Sequence, residues 1–514
     1  MDQVIDRTLQ AGLKYFYHPH PFETWGHFKL LPDFFPNGID GLKKCVDKAS
    51  EAGLKVGVHT LSNFITTNDP YVTPVPDPRL ARVGSSALSA DITSAQTVIS
   101  IEDPKFFNQM ENNTLKTVVV GEELIRYGGV SEEAPWNLLN CVRGAFGTTT
   151  SAHQSGETIG KLIDHPYKVF HTDAELLDEM AGRIADLFNR TGLRQISFDG
   201  LEGCWSSGLG QYGRTLFVKK WFDSLIPELQ GHVINDASNP GHYFWHIYTR
   251  MNWGEPWYAG FRESQTQLRL KNQEFFQRNL MPAMLGWFKL TAETSFEDIE
   301  WLLARSAGFE AGYALSTDLE AIEENGLSDR ILSAIQNWER FRMADAFPSE
   351  IREELRDIGK EFHLESINAR EARLYPIRIS RITHEKREIQ PGQPSYSQCF
   401  LDSDLESASL QFLIQVTGDG DVSGIELEID NFDSLPIPGV LKAGWILKYD
   451  GGDQLVVYDK TWKKIRALDV GQDRFTLVKG RHSIQFDCQF SSGTNPQVKA
   501  EFRLFGEPFK IDIQ

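Results

Sequence analysis

The chain has 514 residues, with 52 Lys+Arg against 71 Asp+Glu for a formal charge of −19, and 41% of it is hydrophobic. That length exceeds a single small module and suits several domains or one large barrel with additions. So large an acidic excess repels phosphate backbones and anionic lipid headgroups at long range, so neither nucleic acid nor a membrane surface is an expected partner.

No run of about 18 apolar residues occurs, so no transmembrane helix is expected. Met1-Asp2-Gln3-Val4-Ile5-Asp6-Arg7 carries acids where a secretory signal would be basic and then apolar. The helix expected over Asp2 to Ala11 runs directly into a strand, which would suit a chain whose natural start lies further upstream; export is expected only in that case, and localisation stays open. Cys45, Cys141, Cys204, Cys399 and Cys488 are widely spaced with no CxxC pair, so most of them read as buried thiols rather than zinc ligands or a redox pair. No metal or cofactor is called for.

In chain order, Leu13 to His18 predicts a strand, Gly38 to Ala52 a helix and Leu54 to Thr60 a second strand. From Asp77 to Asp164 short strands and turns follow, among them Gln96 to Ile101 and Lys116 to Val120, and the Gly-rich stretch around Arg143 predicts a hairpin. Alternation then returns: helix Ala174 to Asn189, strand Gln195 to Asp199, helix Leu216 to Leu229 and strand His232 to Asn235. A helix around Gln265 to Asn279, strand Met284 to Leu290, helix Phe296 to Ala307 and strand Ala311 to Ser316 complete the series. Repeated βα units ask for a parallel sheet covered by helices, and the (β/α)8 TIM barrel is the expected closure, with seven or eight strands visible.

Polar, helical Ser328 to Lys360 leads to short strands at Ala408 to Val416, Gly424 to Ile429, Gln454 to Val457, Phe475 to Val478 and Val498 to Leu504. The expected organisation is a barrel in two parts, 1–76 and 165–345, with an inserted β module at 77–164. A linker at 346–363 and a C-terminal antiparallel β-sandwich at 364–514 follow. Trp445 and Trp462 are expected in the sandwich core.

In such a barrel, functional side chains sit at the carboxyl ends of the strands, whose loops converge on one mouth. Those loops hold His18, His20, Glu23, Trp25, His27, His59, Asn63, Asp199, Glu202, Trp205, Asp236, Asn239, His242, Tyr243, His246, Arg250, Trp253, Glu255, Trp257, Arg262 and Glu263. Aromatic rings stack on the C–H faces of sugars, while acids, amides, imidazoles and guanidinium groups bond hydroxyls. An oligo- or polysaccharide is therefore the expected substrate.

Asp199 is the leading catalytic candidate, since a buried strand delivers it to the mouth; the alternative is that it caps the next helix or pairs with an Arg. Glu263 is the leading second carboxylate, with Glu255 behind it, unless Arg262 and Glu263 merely form an ion pair that begins a helix. Trp25, Trp205, Trp253 and Trp257 are expected to stack on sugar. His18, His20, His59, Asn63, Glu202, Asn239, His242, Tyr243, Arg250 and Arg262 are expected to bind substrate. Glu202 is equally open to a role in holding its loop.

Phe35-Pro36-Asn37-Gly38-Ile39 before a helix, and Gly53-Leu54-Lys55-Val56-Gly57-Val58 on the next strand, resemble the barrel of the α-galactosidase and melibiase clan of glycoside hydrolases. The resemblance implies that these are the second and third strands of such a barrel, the first being absent, and that Asp199 in Ile196-Ser197-Phe198-Asp199 is the nucleophile of a retaining hydrolase. The chain departs from that pattern in three ways. Ser197 stands where the clan has lysine, no phrase like the clan's acid/base "SDN" occurs, and Tyr17-His18-Pro19-His20 replaces acidic residues.

Two other chemistries fit these departures. A polysaccharide lyase acting on uronic-acid glycans by β-elimination would use Tyr17, His18, His59, His242, Tyr243 or Arg250, with Asn63 or Asn239 neutralising the carboxylate. A metal-dependent, amidohydrolase-like hydrolase would use His18-Pro19-His20 and Asp318. From a non-enzymatic class, a glycan-binding protein without catalysis is the remaining alternative. Sugar, linkage and oligomeric state are not readable from these residues.

Overall fold

In the computed structural model strands and helices alternate from Tyr15 to Leu61 and, after a run of short strands, in the main again from Ala174 to Ser316. The structure describes all residues except 110, 112, 238–246, 252–253, 282–283, 389, 391, 431–432 and 472–473, with backbone alone at 237, 250, 251, 433 and 434. Apart from Met1, the chain divides into two compact units, one of Lys14–Trp253 with Phe276–Pro282, the other of Asp2–Leu13, Gly254–Phe275 and Ala283–Gln514.

The central sheet of the first unit has five parallel strands, Tyr15–His18, Lys55–Leu61, Gln195–Asp199, Ile234–Ala237 and Arg250–Met251, in that spatial order. Each strand adds to the edge left by its predecessor. The order never reverses, as it would in a doubly wound sheet. The connecting helices are written into the sequence by their ends. For Ala174–Thr191, Asp173 accepts from the Glu175 and Leu176 N–H groups, and Gly192 at φ 77° closes the last turn in the left-handed region. Its Leu177, Ala181, Ile184 and Phe188 recur at helical spacing and are buried.

Registered partners in a sheet share a face. Tyr17, Gly57 and Gln195 are in register, as are His59, Ser197 and Asp236, and Leu61 with Asp199. The opposite face carries Val56, Val58, Ile196 and Phe198, all buried. Helix Gln211–Asp223 covers it in part, the Phe198 ring meeting Phe217 and Trp221 edge-on. The strand expected to start at His232 starts at Ile234, because the His232 N–H is spent on Leu229 O in a turn.

Between Arg82 and Leu162 the strands are antiparallel. Arg82–Ala87, Thr158–Leu162, Thr117–Val120 and Glu123–Arg126 form one sheet, and Ile99–Ser100, Asn137–Leu139 and Gly129–Val130 another. Leu88, Ile99, Phe107, Val118, Ile125 and Ile159 pack together as their core. The expected strand from Gln96 shrinks to Ile99–Ser100, since the Gln96 N–H turns back to Thr93 O and its carboxamide bonds Val98 O. The stretch after Arg143 makes a short 3-10 turn, Ala145–Gly147, instead of a plain hairpin.

In the second unit, strands Met284–Lys289 and Gly312–Ser316 are parallel and are joined by helix Phe296–Phe309, whose N-cap Ser295 accepts from the Asp298 N–H. The segment read as a linker within a polar, helical stretch holds helix Ser349–Arg356 and the start of strand Glu361–Ser366, and its Leu355 and Phe362 bury themselves in an apolar cluster with Ile299, Leu303 and Trp338.

From Glu361 onward the strands are antiparallel. One sheet includes Glu371–Glu385, Gln497–Phe505, Gln411–Thr417, Ile446–Tyr449 and Gln454–Tyr458; another has Ser397–Ser403, Gly480–Phe490, Val422–Ile429 and Asp433–Ile437. Phe412, Val457 and Phe502 of the first share one core with Leu401, Leu427 and Phe486 of the second. The strand expected from Ala408 to Val416 splits at buried Leu410. Ala408–Ser409 pairs with Thr476–Leu477, while Gln411–Thr417 joins the larger sheet. Trp462 is buried and its indole N–H donates to Glu293 O, while Trp445 is half-buried against the shared core.

Candidate active site

The polar face of the five-stranded sheet is where chemistry collects. Tyr17, His59, Gln195, Ser197, Asp199 and Asp236 alternate with the apolar residues that meet the helices. Gly57 sits among them because a Cβ there would lie 1.8 Å from Gln195 Oε1. The Gln195 side chain fills that space and its Nε2 donates to Asp236 Oδ2 at 3.3 Å.

Asp199 ends its strand with its side chain 34% exposed. Its Oδ1 accepts from the Gly200 N–H at 2.9 Å, and Oδ2 lies 3.6 Å from His59 Nε2. The helical turn that follows Asp199 begins without a side-chain cap. His59 Nδ1 donates to the Pro19 carbonyl at 3.0 Å, and because a carbonyl only accepts, that nitrogen carries the hydrogen. Nε2 is thereby the ring atom turned to Asp199.

His18 and His20 take different surroundings. His18 packs on Phe34 and Phe35, while the His20 ring meets His59 edge-on at 6.1 Å between centroids. The His18 Nδ1 lone pair accepts the His20 backbone N–H at 3.1 Å. Burial, then the neighbouring imidazole, lowers the pKa of both, so neutral rings are favoured here. Among the described residues, no group of three or more His, Cys, Asp and Glu is arranged to hold a metal ion.

After Asp199 comes the 3-10 helix Leu201–Ser207 with Glu202 and Trp205. Burial first, and the Asp199 charge after it, raise the Glu202 pKa. Trp205 is 53% exposed, and the Arg214 guanidinium lies 6.0 Å from its ring centre. Arg214 was no candidate in the sequence, where it lies 15 residues beyond the strand on a helix with no marking motif.

Trp25 is half-buried against Leu61, Phe64 and Val169. Asn63 is fully buried, its Oδ1 accepting from Thr172 Oγ1 at 3.1 Å. His27 donates from Nδ1 to buried Asp69 at 2.8 Å. Asn239, His242, Tyr243, His246 and Trp253 lie outside the described residues, as does the side chain of Arg250.

The remaining candidates belong to the second unit. Arg262 bonds Asp298 at 2.5 Å and also Glu361, so its guanidinium is held inside that unit. The Thr266 hydroxyl donates to the Arg262 carbonyl. Glu263 is exposed and its carboxylate folds back over Gly260. Glu255 is half-buried, with its charge raising the proton affinity of Arg269 against burial, which brings that guanidinium down to about 10. Trp257 is 64% exposed.

No known protein family and no curated protein matches the chain. Similar solved structures include two α-galactosidases, members of the group that the FPNGI and GLKVGV phrases resemble. One, from Thermus thermophilus in complex with p-nitrophenyl α-D-galactopyranoside, is 10% identical over 73% of this chain and 61% of that one, with a TM-score of 0.35. The other, from Geobacillus stearothermophilus in complex with raffinose, is 9% identical over 95% of this chain, at a TM-score of 0.36, and is covered over 53% of its own length. An isomaltulose synthase from Erwinia rhapontici in complex with sucrose is 6% identical over 95% of this chain and 94% of that one, with a TM-score of 0.38. This chain thus spans about half to three fifths of the α-galactosidases it resembles. Among the described residues no helix is long and apolar enough to cross a membrane.

Proposed function

We propose that this protein is a carbohydrate-active enzyme that cleaves glycosidic bonds of oligo- or polysaccharides, as a retaining glycoside hydrolase of α-galactosidase-like type with Asp199 as nucleophile. In this reading the seven parallel strands belong to one βα barrel and the antiparallel carboxyl-terminal sheets form a β-sandwich. One observation carries the reading: Asp199 stands half-exposed at the carboxyl end of a parallel strand, on the polar face, with His59 Nε2 3.6 Å from its Oδ2.

His59, its ring fixed by the Pro19 carbonyl, forms one polar wall of the space beside the carboxylate. The exposed indole of Trp205 offers a flat apolar surface for a pyranose face in the loop that follows. Asp199→Asn keeps the shape and removes the nucleophile. Its melting temperature should match the parent, and turnover of the hydrolysed glycoside should fall by at least about a hundredfold, the low end of what such a group contributes. Near-parental turnover would remove Asp199 from the mechanism. Growth of ultraviolet absorbance on uronate-containing polysaccharide, from unsaturated products, would replace hydrolysis by elimination.

A further inference from the structure

We propose that Glu202 is the acid/base partner of Asp199, an assignment that rests on the glycoside-hydrolase reading above. Gly200, at φ 72°, ends the strand in the left-handed region, and the Leu201–Ser207 turn brings Glu202 into the same loop. Two glycines let this loop press on the neighbouring segment. A Cβ at Gly200 would lie 3.2 Å from Leu61, and one at Gly203 2.7 Å from the Asn63 carbonyl oxygen.

Glu202 is half-buried, and its Oε2 is buried with no hydrogen-bond partner among the described residues. An ionised carboxylate pays heavily for an oxygen so placed, whereas a carboxylic acid pays much less. Burial and Asp199 raise its pKa, while its own backbone N–H and Arg214 oppose them without reversing the shift. Asp199, by contrast, is turned to solvent and to an imidazole. A carboxyl group with a buried, unpartnered oxygen, in the same loop as one that solvent reaches, makes the kind of unlike pair that acid/base catalysis by glycosidases requires.

The step is balanced without further reactants. An Asp199 oxygen bonds the anomeric carbon while the bond from that carbon to the leaving oxygen breaks, and the Glu202 proton passes to that oxygen. Water then attacks the anomeric carbon, gives its proton to the Glu202 carboxylate and releases Asp199. Glu202 ends protonated, as it began.

The experiment compares the parent, Glu202→Gln and Asp199→Asn on a panel of nitrophenyl glycosides, including the α-galactoside, and on raffinose. For Glu202→Gln, kcat/KM on raffinose should fall about 10²–10⁴-fold but stay within about tenfold on the nitrophenyl substrate, whose leaving group needs no proton. The high-pH limb of the profile should vanish, and azide should restore turnover and yield a glycosyl azide of retained configuration. Equal losses on both substrates, a retained high-pH limb and no azide rescue would overturn the assignment. If Glu202→Gln melts below the parent, Glu202→Asp is measured in its place. It keeps a carboxyl group, so the high-pH limb must survive there, and its loss would overturn the assignment. A parent that hydrolyses no member of the panel defeats the hydrolase reading itself. A parent that does so while Glu202→Gln behaves as a merely structural change defeats this assignment alone.

Discussion

His171 lies beside the Phe64 ring, gives its Nδ1 hydrogen to the Gly203 carbonyl at 3.3 Å, and leaves Nε2 buried without a partner among the described residues. A second proton would have to sit on that nitrogen, away from water. Burial accordingly drives the ring from 6.5 down to about 4, outweighing the Gly203 bond. Because the folded value lies below the unfolded one, acidification from 6.5 toward 4 lets the unfolded chain bind a proton that the folded chain refuses. Stability is then lost across that window, by about 3 kcal/mol at most. Above 6.5 the group contributes nothing to the slope. His171→Asn should flatten the dependence between pH 7 and 4.5 in urea unfolding; an equal loss in parent and variant would assign the acid sensitivity elsewhere.

At the scale of elements, the Gln195–Asp199 strand shows how one alternation serves two ends. Ile196 and Phe198 are fully buried on the apolar face while Gln195, Ser197 and Asp199 make up the polar one. Phe198 meets Phe217 and Trp221 at 6.4 and 5.1 Å between ring centres. Truncating it leaves a cavity that these rings cannot close, so Phe198→Ala should cost about 3–5 kcal/mol in chemical unfolding, and below about 1 kcal/mol the packing described is wrong.

The inserted strands rest on a different device. Glu123 is fully buried, accepts from Arg143 at 2.8 and 2.7 Å, and also faces His153 Nε2 and the Gly144 and Ser151 N–H groups. Burial alone would raise its pKa, but these donors together leave it lowered. Glu123→Gln turns an NH₂ toward the Arg143 guanidinium and backbone N–H groups, which only donate, and leaves Arg143 without its anion. The expected cost is about 3–5 kcal/mol, read from the unfolding midpoint; an unchanged midpoint would show that the network contributes nothing net.

Over the whole molecule, what was legible in the sequence was what repeats locally. The alternation of Gln195-Ile196-Ser197-Phe198-Asp199 is visible in the letters, and so is the Asp173 and Gly192 pair that brackets a helix. The antiparallel character of the last part of the chain follows in the same way from short strands and turn residues. What was not legible depends on partners far away in sequence. Arg262 and Glu263 read alike as site residues, yet Arg262 is bound to Glu361, 99 positions on. His18 and His20 read as a pair, yet one packs on Phe34 and the other on His59. The helix at Ser349–Arg356 looked like a polar connector because only Leu355 marks its buried side.

The sequence by itself determined roughly where the parallel strands and their helices lie, and that Asp199 closes its strand, because side-chain alternation and capping act over a few residues of the same chain. Only the tertiary structure decided which of the many polar side chains in the loops are spent on internal partners and which are left facing Asp199. That choice depends on strand register, such as Asp199 beside Leu61, and on whether a given oxygen or nitrogen meets water or protein once the chain has closed on itself.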